Sequence, residues 1–191
     1  DEPDKDFVLL IDSLCKKYNS CLIADEVQSG FGRTGKFFAF QEYEIKPHFI
    51  CMAKGMGNGF PVGGLLINST IKSEHGMLGT TFGGNHLACV ASLTVLNVIE
   101  KEDLQQNARE IGNYFIENAK QIPEIINIKG RGLMLGLEFN YEVKEIRKKL
   151  IYDKKIFTGS SGNKNLLRIL PPLTIKKKHI DIFFESLKEV I

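Results

Sequence analysis

Two short, unbroken apolar runs stand near the start of the chain. Cys21-Leu22-Ile23-Ala24 runs into Asp25-Glu26-Val27-Gln28, and Phe49-Ile50-Cys51-Met52-Ala53 runs into Lys54-Gly55. Runs of this length predict strands buried on both faces. A helical repeat over 6–17, with Leu9, Leu10 and Leu14 on one side, leads into the first of them. Between the two lie a glycine-punctuated loop over 29–35 and a short amphipathic stretch over 37–43, ahead of Pro47. Asn58-Gly59-Phe60-Pro61 then turns the chain into a third strand over 62–67. This order predicts an α/β fold with a mostly parallel sheet covered on both faces.

The pattern changes after Gly83-Gly84. Asn85 is a candidate N-cap for a helix over 86–100 rich in Ala, Val and Leu. A second helix carries Leu104, Ala108, Ile111, Phe115, Ala119 and Ile122 at spacings of three and four, and Pro123 ends it. Strands over 125–129 and 133–139, a helix over 141–152, a strand over 166–169 and a helix over 175–191 complete the order. The expected division is therefore a sheet-containing domain over 1–105 and a smaller α+β domain over 106–191, without internal repeats.

With 43% hydrophobic residues, 191 residues suffice to bury a sizeable core. The 25 basic and 23 acidic residues are interspersed, which argues against a nucleic-acid-binding stripe or a polybasic membrane patch. No apolar run approaches the roughly 20 residues that span a bilayer. The first residues, Asp1-Glu2-Pro3-Asp4-Lys5-Asp6, lack the basic-then-apolar layout of a signal peptide. Cys15, Cys21, Cys51 and Cys89 have no C-x-x-C spacing and read as reduced core thiols of a cytoplasmic protein. His48, His75, His86 and His179 are equally dispersed, against a zinc site.

An acid at one strand tip and a lysine at the next suit a site at the carboxyl edge of an open sheet, where α/β proteins bind ligands. The pair matches what pyridoxal phosphate requires: a carboxylate for its ring nitrogen and a lysine to hold it as an imine. A lysine at a partly desolvated strand end becomes a usable nucleophile, although an ordinary solvated lysine fits the same position. Asp25 also fits an N-cap or a loop acid. Glu26 cannot face Asp25's way if the backbone stays extended, while Gln28 could hydrogen-bond a ring hydroxyl and Val27 press on a flat ring. Hydroxyls and backbone amides in Gly79-Thr80-Thr81-Phe82-Gly83-Gly84-Asn85, ahead of a helix, suit a phosphate; an N-capping turn would look the same. The glycines after Lys54 lack the dinucleotide spacing, and there is no phosphate-loop motif.

Five ordered motifs carry a resemblance. They are Ala24-Asp25-Glu26-Val27-Gln28-Ser29-Gly30-Phe31-Gly32-Arg33-Thr34-Gly35; Ala53-Lys54-Gly55 with Gly59-Phe60-Pro61; Thr80-Thr81-Phe82-Gly83-Gly84-Asn85; Arg131-Gly132-Leu133-Met134-Leu135-Gly136; and Leu167-Arg168-Ile169-Leu170-Pro171-Pro172-Leu173. The chain resembles the class III PLP-dependent aminotransferases over its whole length. Within the class it is most similar to acetylornithine (N-acyl-ornithine) aminotransferases, with ornithine δ-aminotransferases next.

The resemblance implies fold type I, with part of the large mostly parallel sheet domain followed by a small C-terminal α+β domain. It implies pyridoxal 5′-phosphate as cofactor, with Lys54 and Asp25 as catalytic residues and Asp25, Glu26, Val27, Gln28, Lys54 and Thr81 binding the cofactor. Thr80 and Arg168 would bind substrate, the latter bidentately through a carboxylate; Arg131 would be structural. The implied reaction moves the terminal amino group of N-acetylornithine or N-succinylornithine onto 2-oxoglutarate, in arginine biosynthesis. The implied assembly is a cytoplasmic homodimer in which Thr81 acts across the interface, with no nucleic-acid or membrane partner and no metal. The alternatives are ornithine or another ω-amino acid as donor, or an inactive fragment. Family chains are about twice as long, so Asp1 reads as an internal start. The glycine-containing phosphate loop, the ring-stacking aromatic and a second substrate arginine lie outside the present chain, and these 191 residues alone are expected to be inactive.

Overall fold

A computed structural model describes residues 2–72 and 74–191; Asp1 and Ser73 lie outside it. The described residues divide into two compact units, one within 3–32 and 36–103, the other of residue 2, 33–35 and 104–191. The division thus falls between Asp103 and Leu104, against the expected 105/106, and the tripeptide Arg33-Thr34-Gly35 belongs with the C-terminal unit.

The N-terminal unit runs α1 (Lys5–Lys17), β1 (Ile23–Asp25), β2 (Phe49–Met52), β3 (Gly64–Ile67) and α2 (His86–Lys101), with tight 3-10 turns at Ala39–Glu42 and Lys54–Met56. β1 and β2 pair in parallel, Ile23 opposite Phe49 and Asp25 opposite Cys51, so both strands end at the same edge. β3 pairs antiparallel to β2, Phe49 opposite Ile67 and Met52 opposite Gly64. The sheet is therefore not the mostly parallel one expected within this segment. A parallel neighbour needs a crossover of a dozen or more residues, usually helical, whereas β2 and β3 are joined only by the non-helical loop over 53–63 with its short 3-10 turn. Nor do the unit's own elements cover both faces: Ile23, Leu65, Leu66 and Ile67 remain 40–59% exposed.

The helix boundaries follow local chemistry. Asn85 caps α2, its side chain accepting a hydrogen bond from the Ala88 amide at 3.0 Å. The cysteines are all free, as expected, but none is a core thiol: Cys21 and Cys89 are exposed, Cys15 and Cys51 half-buried. Apolar sequence neighbours do not bury a side chain on the open face of a half-covered sheet or helix. Among the described residues no helix is long and apolar enough to cross a membrane.

The C-terminal unit contains α3 (Leu104–Ala119), β4 (Ile125–Arg131), β5 (Met134–Phe139), α4 (Lys144–Tyr152), β6 (Leu166–Ile169) and α5 (Lys177–Lys188). Its sheet is antiparallel, in the order β4-β5-β6. The buried faces of α3, α4 and α5 supply Phe115, Leu150, Ile180 and Leu187, which join Leu133, Leu137, Phe139 and Leu167 in one fully buried cluster. Phe115 packs its ring against Phe183 and Phe184 at 5.5 and 4.8 Å. Each buried side chain of this size contributes about 1.5–3 kcal/mol, so this cluster is the main source of the unit's stability.

Candidate active site

Asp25 is the last residue of β1 and is exposed. One carboxylate oxygen accepts the Val27 amide at 3.1 Å, a turn that holds the side chain at the strand end. The next residue turns the opposite way. Glu26 is 3% exposed, and its two oxygens accept the Phe40 amide at 2.8 Å and the Ser29 hydroxyl at 2.5 Å. Its carboxylate, expected among the cofactor contacts, thus faces the interior of the unit. Val27 is half-buried and Gln28 exposed beyond it.

Lys54 lies three residues past Cys51, the β2 partner of Asp25, so both chemical groups leave the sheet at one edge. Its side chain is exposed and its backbone has φ +47°, the left-handed region that an L-residue enters at a cost of about 1–2 kcal/mol. The strained residue opens the Lys54–Met56 turn, in which the Met56 amide donates to the Ala53 carbonyl at 3.0 Å and the Gly57 amide to the Lys54 carbonyl at 3.2 Å. Phe31 lies beneath Gly55: an added Cβ would sit 3.4 Å from the Phe31 Cβ, in ordinary contact. The first residues of α2 belong to the same unit, and the helix packs on this turn.

Thr80 and Thr81 are exposed on the loop before α2. The Thr80 hydroxyl accepts the Gly83 amide at 3.1 Å, and its side chain occupies the space a Cβ on Gly83 would take. The loop geometry is therefore set locally, which leaves Thr81 outward-facing.

Arg168 belongs to the C-terminal unit. It stands in β6 opposite Gly136 of β5, and on its other side Gly159 exchanges backbone hydrogen bonds with it at 2.8 and 3.2 Å. Arg131 ends β4 and pairs with Glu2. Burial lowers its guanidinium pKa from the ordinary value, consistent with a structural part.

Sequence reading missed Arg33. Its guanidinium donates to the Leu133 carbonyl at 3.3 Å and to the Pro171 carbonyl, and burial lowers its pKa. It ties the chain entering β5 to the chain leaving β6, at Pro171, three residues past Arg168. The available signal was the one cation within the 29–35 loop, enclosed by Gly32 and Gly35. An arginine there has to find carbonyl partners, because its charge is not solvated inside the fold. Arg33→Ala should lower the unfolding free energy by about 2 kcal/mol, and Arg33→Lys by less, in urea denaturation followed by circular dichroism.

The aminotransferase class III family model matches residues 2–191. The acetylornithine aminotransferase of Aquifex aeolicus is 42% identical over all of this chain and 50% of its own length. Ornithine aminotransferase 1 of Staphylococcus saprophyticus is 37% identical over 99% of this chain and 49% of its own. Among solved structures, ornithine δ-aminotransferase of Plasmodium falciparum superposes with a TM-score of 0.87 at 33% identity, covering 98% of this chain and 51% of that one. Acetylornithine aminotransferase of Elizabethkingia anophelis gives 0.84 at 30% identity, over 99% and 52%. The chain spans about half the length of the relatives it matches. With the carboxylate and lysine at one sheet edge and a match over nearly every residue, the chain belongs to the class III aminotransferases and carries part of their fold type I architecture.

Proposed function

We propose that the protein transfers the terminal amino group of an N-acyl-ornithine to 2-oxoglutarate with pyridoxal 5′-phosphate as cofactor, as a step of arginine biosynthesis in a cytoplasmic homodimer. The observation that carries this reading is the parallel register that ends β1 at Asp25 and leads β2 into a strained Lys54. The residues present fit the cofactor: an anion for a cationic ring nitrogen, an amine for an aldehyde carbon, and an amide side chain, Gln28, for a phenolic oxygen. When bound, the cofactor supplies the electron sink that makes a carbon–hydrogen bond next to the amine acidic.

The chain's own groups then have separate tasks. The Asp25 carboxylate holds a proton on the ring nitrogen, fixed in place by the Val27 amide. Lys54 would hold the aldehyde carbon through Nζ and, when free, would carry a proton at Nζ between the donor carbon and the cofactor. Val27 would press on the ring face, Thr81 would contact the phosphate of the neighbouring subunit's cofactor, and Thr80 and Arg168 would hold substrate, Arg168 by the substrate's carboxylate.

Treating the full-length protein with pyridoxal phosphate and borohydride should place the reduced label on Lys54 in peptide maps; label on another lysine would refute the assignment. Asp25→Ala is expected to lower kcat by about 10²–10³-fold while retaining that label, measured by steady-state kinetics and mass spectrometry. Ornithine as donor is the second reading, supported by the likeness to ornithine aminotransferases. Comparison of kcat/KM for acetylornithine, succinylornithine and ornithine decides: the acyl donors should lead by about 10-fold or more, the scale on which a pocket discriminates a small group.

A further inference from the structure

We infer that Glu26 is a positioning residue: its buried carboxylate clips the Asp25–Gln28 segment to an aromatic block beneath Lys54, and so sets the site's anion and amine relative to each other. The inference rests on the reading of Asp25 and Lys54 given above.

Glu26 is tied on three sides. Its amide donates to the Cys51 carbonyl at 3.0 Å, three residues before Lys54, and its carbonyl accepts the Gly30 amide at 3.0 Å. Its carboxylate accepts the Phe40 amide and the Ser29 hydroxyl. A carboxylate can accept two donors arriving from different directions, which no apolar side chain of similar volume can do. Burying it unpaired would cost several kcal/mol, so both partners are required for the charge to stay.

The block on which this clip closes reaches the lysine. Phe38 stacks on Phe40 at 5.8 Å between ring centroids and meets Phe37 at 4.8 Å and Phe31 at 6.2 Å, edge to face. Gly30 admits the close approach: a Cβ there would stand 2.9 Å from the Glu26 carbonyl oxygen and 3.3 Å from Phe38. Phe31 is 4% exposed, adopts φ +58° and supports Gly55, the residue after Lys54. Shifting Glu26 would therefore move Asp25 directly, as its chain neighbour, and Lys54 through Phe31.

The test uses the full-length protein and its Glu26→Ala, Glu26→Gln and Ser29→Ala variants. Pyridoxal phosphate affinity is measured by absorbance titration, label at Lys54 by borohydride trapping, and stability by thermal melting. Glu26→Ala should weaken cofactor affinity about 10-fold or more, the effect of losing bonds to a charged group. Ser29→Ala, which removes one donor, should weaken it about 3-fold and lower the melting temperature less than Glu26→Ala does. Glu26→Gln should restore near-native affinity, since a carboxamide still accepts the Phe40 amide and can donate to Ser29. Should Glu26→Ala fail to fold, the other two variants decide. Affinities of all variants within twofold of the native protein would overturn the inference, as would a Ser29→Ala variant that loses stability but not affinity. Absence of label at Lys54 in the native protein would instead remove the ring site itself, and the positioning role with it.

Discussion

Replacing Lys54 by alanine should lower kcat by at least about 10⁴-fold in the full-length protein and leave its melting temperature within a few degrees of native. The loss combines a nucleophile with a proton carrier, and acid–base catalysis alone contributes about 10²–10⁴-fold. The fold should survive because the side chain is exposed and its turn is held by backbone bonds from Met56 and Gly57. Lys54→Gly sharpens the prediction. At φ +47° glycine relieves the left-handed penalty, so this variant should be equally inactive yet more stable by about 1 kcal/mol. A residue that destabilises the fold at the point where chemistry is proposed marks strain retained for function. Turnover by either variant would sink the assignment; steady-state assays and thermal melting give both readouts.

Gly132→Ala should strongly destabilise the C-terminal unit, by about 3 kcal/mol or more. Gly132 has φ +56°, and an added Cβ would lie 2.5 Å from the Thr34 carbonyl carbon and 2.7 Å from the Arg33 oxygen. Both obstacles are backbone, so no side chain can swing aside. Relief requires expelling the tripeptide, which breaks the Leu133 amide bond to the Arg33 carbonyl at 2.9 Å and withdraws the guanidinium from its carbonyls. Gly112→Ala on α3 should behave alike, its Cβ falling 2.6 Å from the Gly132 carbonyl carbon. Gly162→Ala is the control: nothing lies within 4 Å and its φ is not in the left-handed region, so its stability should stay within about 0.5 kcal/mol of native. Urea denaturation read by circular dichroism separates the three.

Together these effects divide the chain by task. The N-terminal unit holds the carboxylate and lysine on a small, half-covered sheet, whereas the C-terminal unit contributes the dense core and Arg168. The exposed apolar side chains of Leu65, Leu66, Phe82 and Leu87 belong to the first unit and Phe157 to the second.

Residue order alone determined the local elements and the motif chemistry. The apolar runs ending at Asp25 and Lys54, the Asn85 cap and the three-and-four spacing of α3 each depend on neighbours within one or two turns, so they are legible in a linear chain. Only the tertiary structure decided the antiparallel course of β3, the inward turn of Glu26, the left-handed backbone of Lys54 and the membership of Arg33-Thr34-Gly35. Each of these depends on a partner from a separate segment: Phe40 for Glu26, Phe31 under Gly55, and Leu133 a hundred residues from Arg33. Periodicity records which face of an element avoids water, but a buried carboxylate, a strained φ or a lone guanidinium is settled by whichever distant backbone groups come within hydrogen-bonding reach.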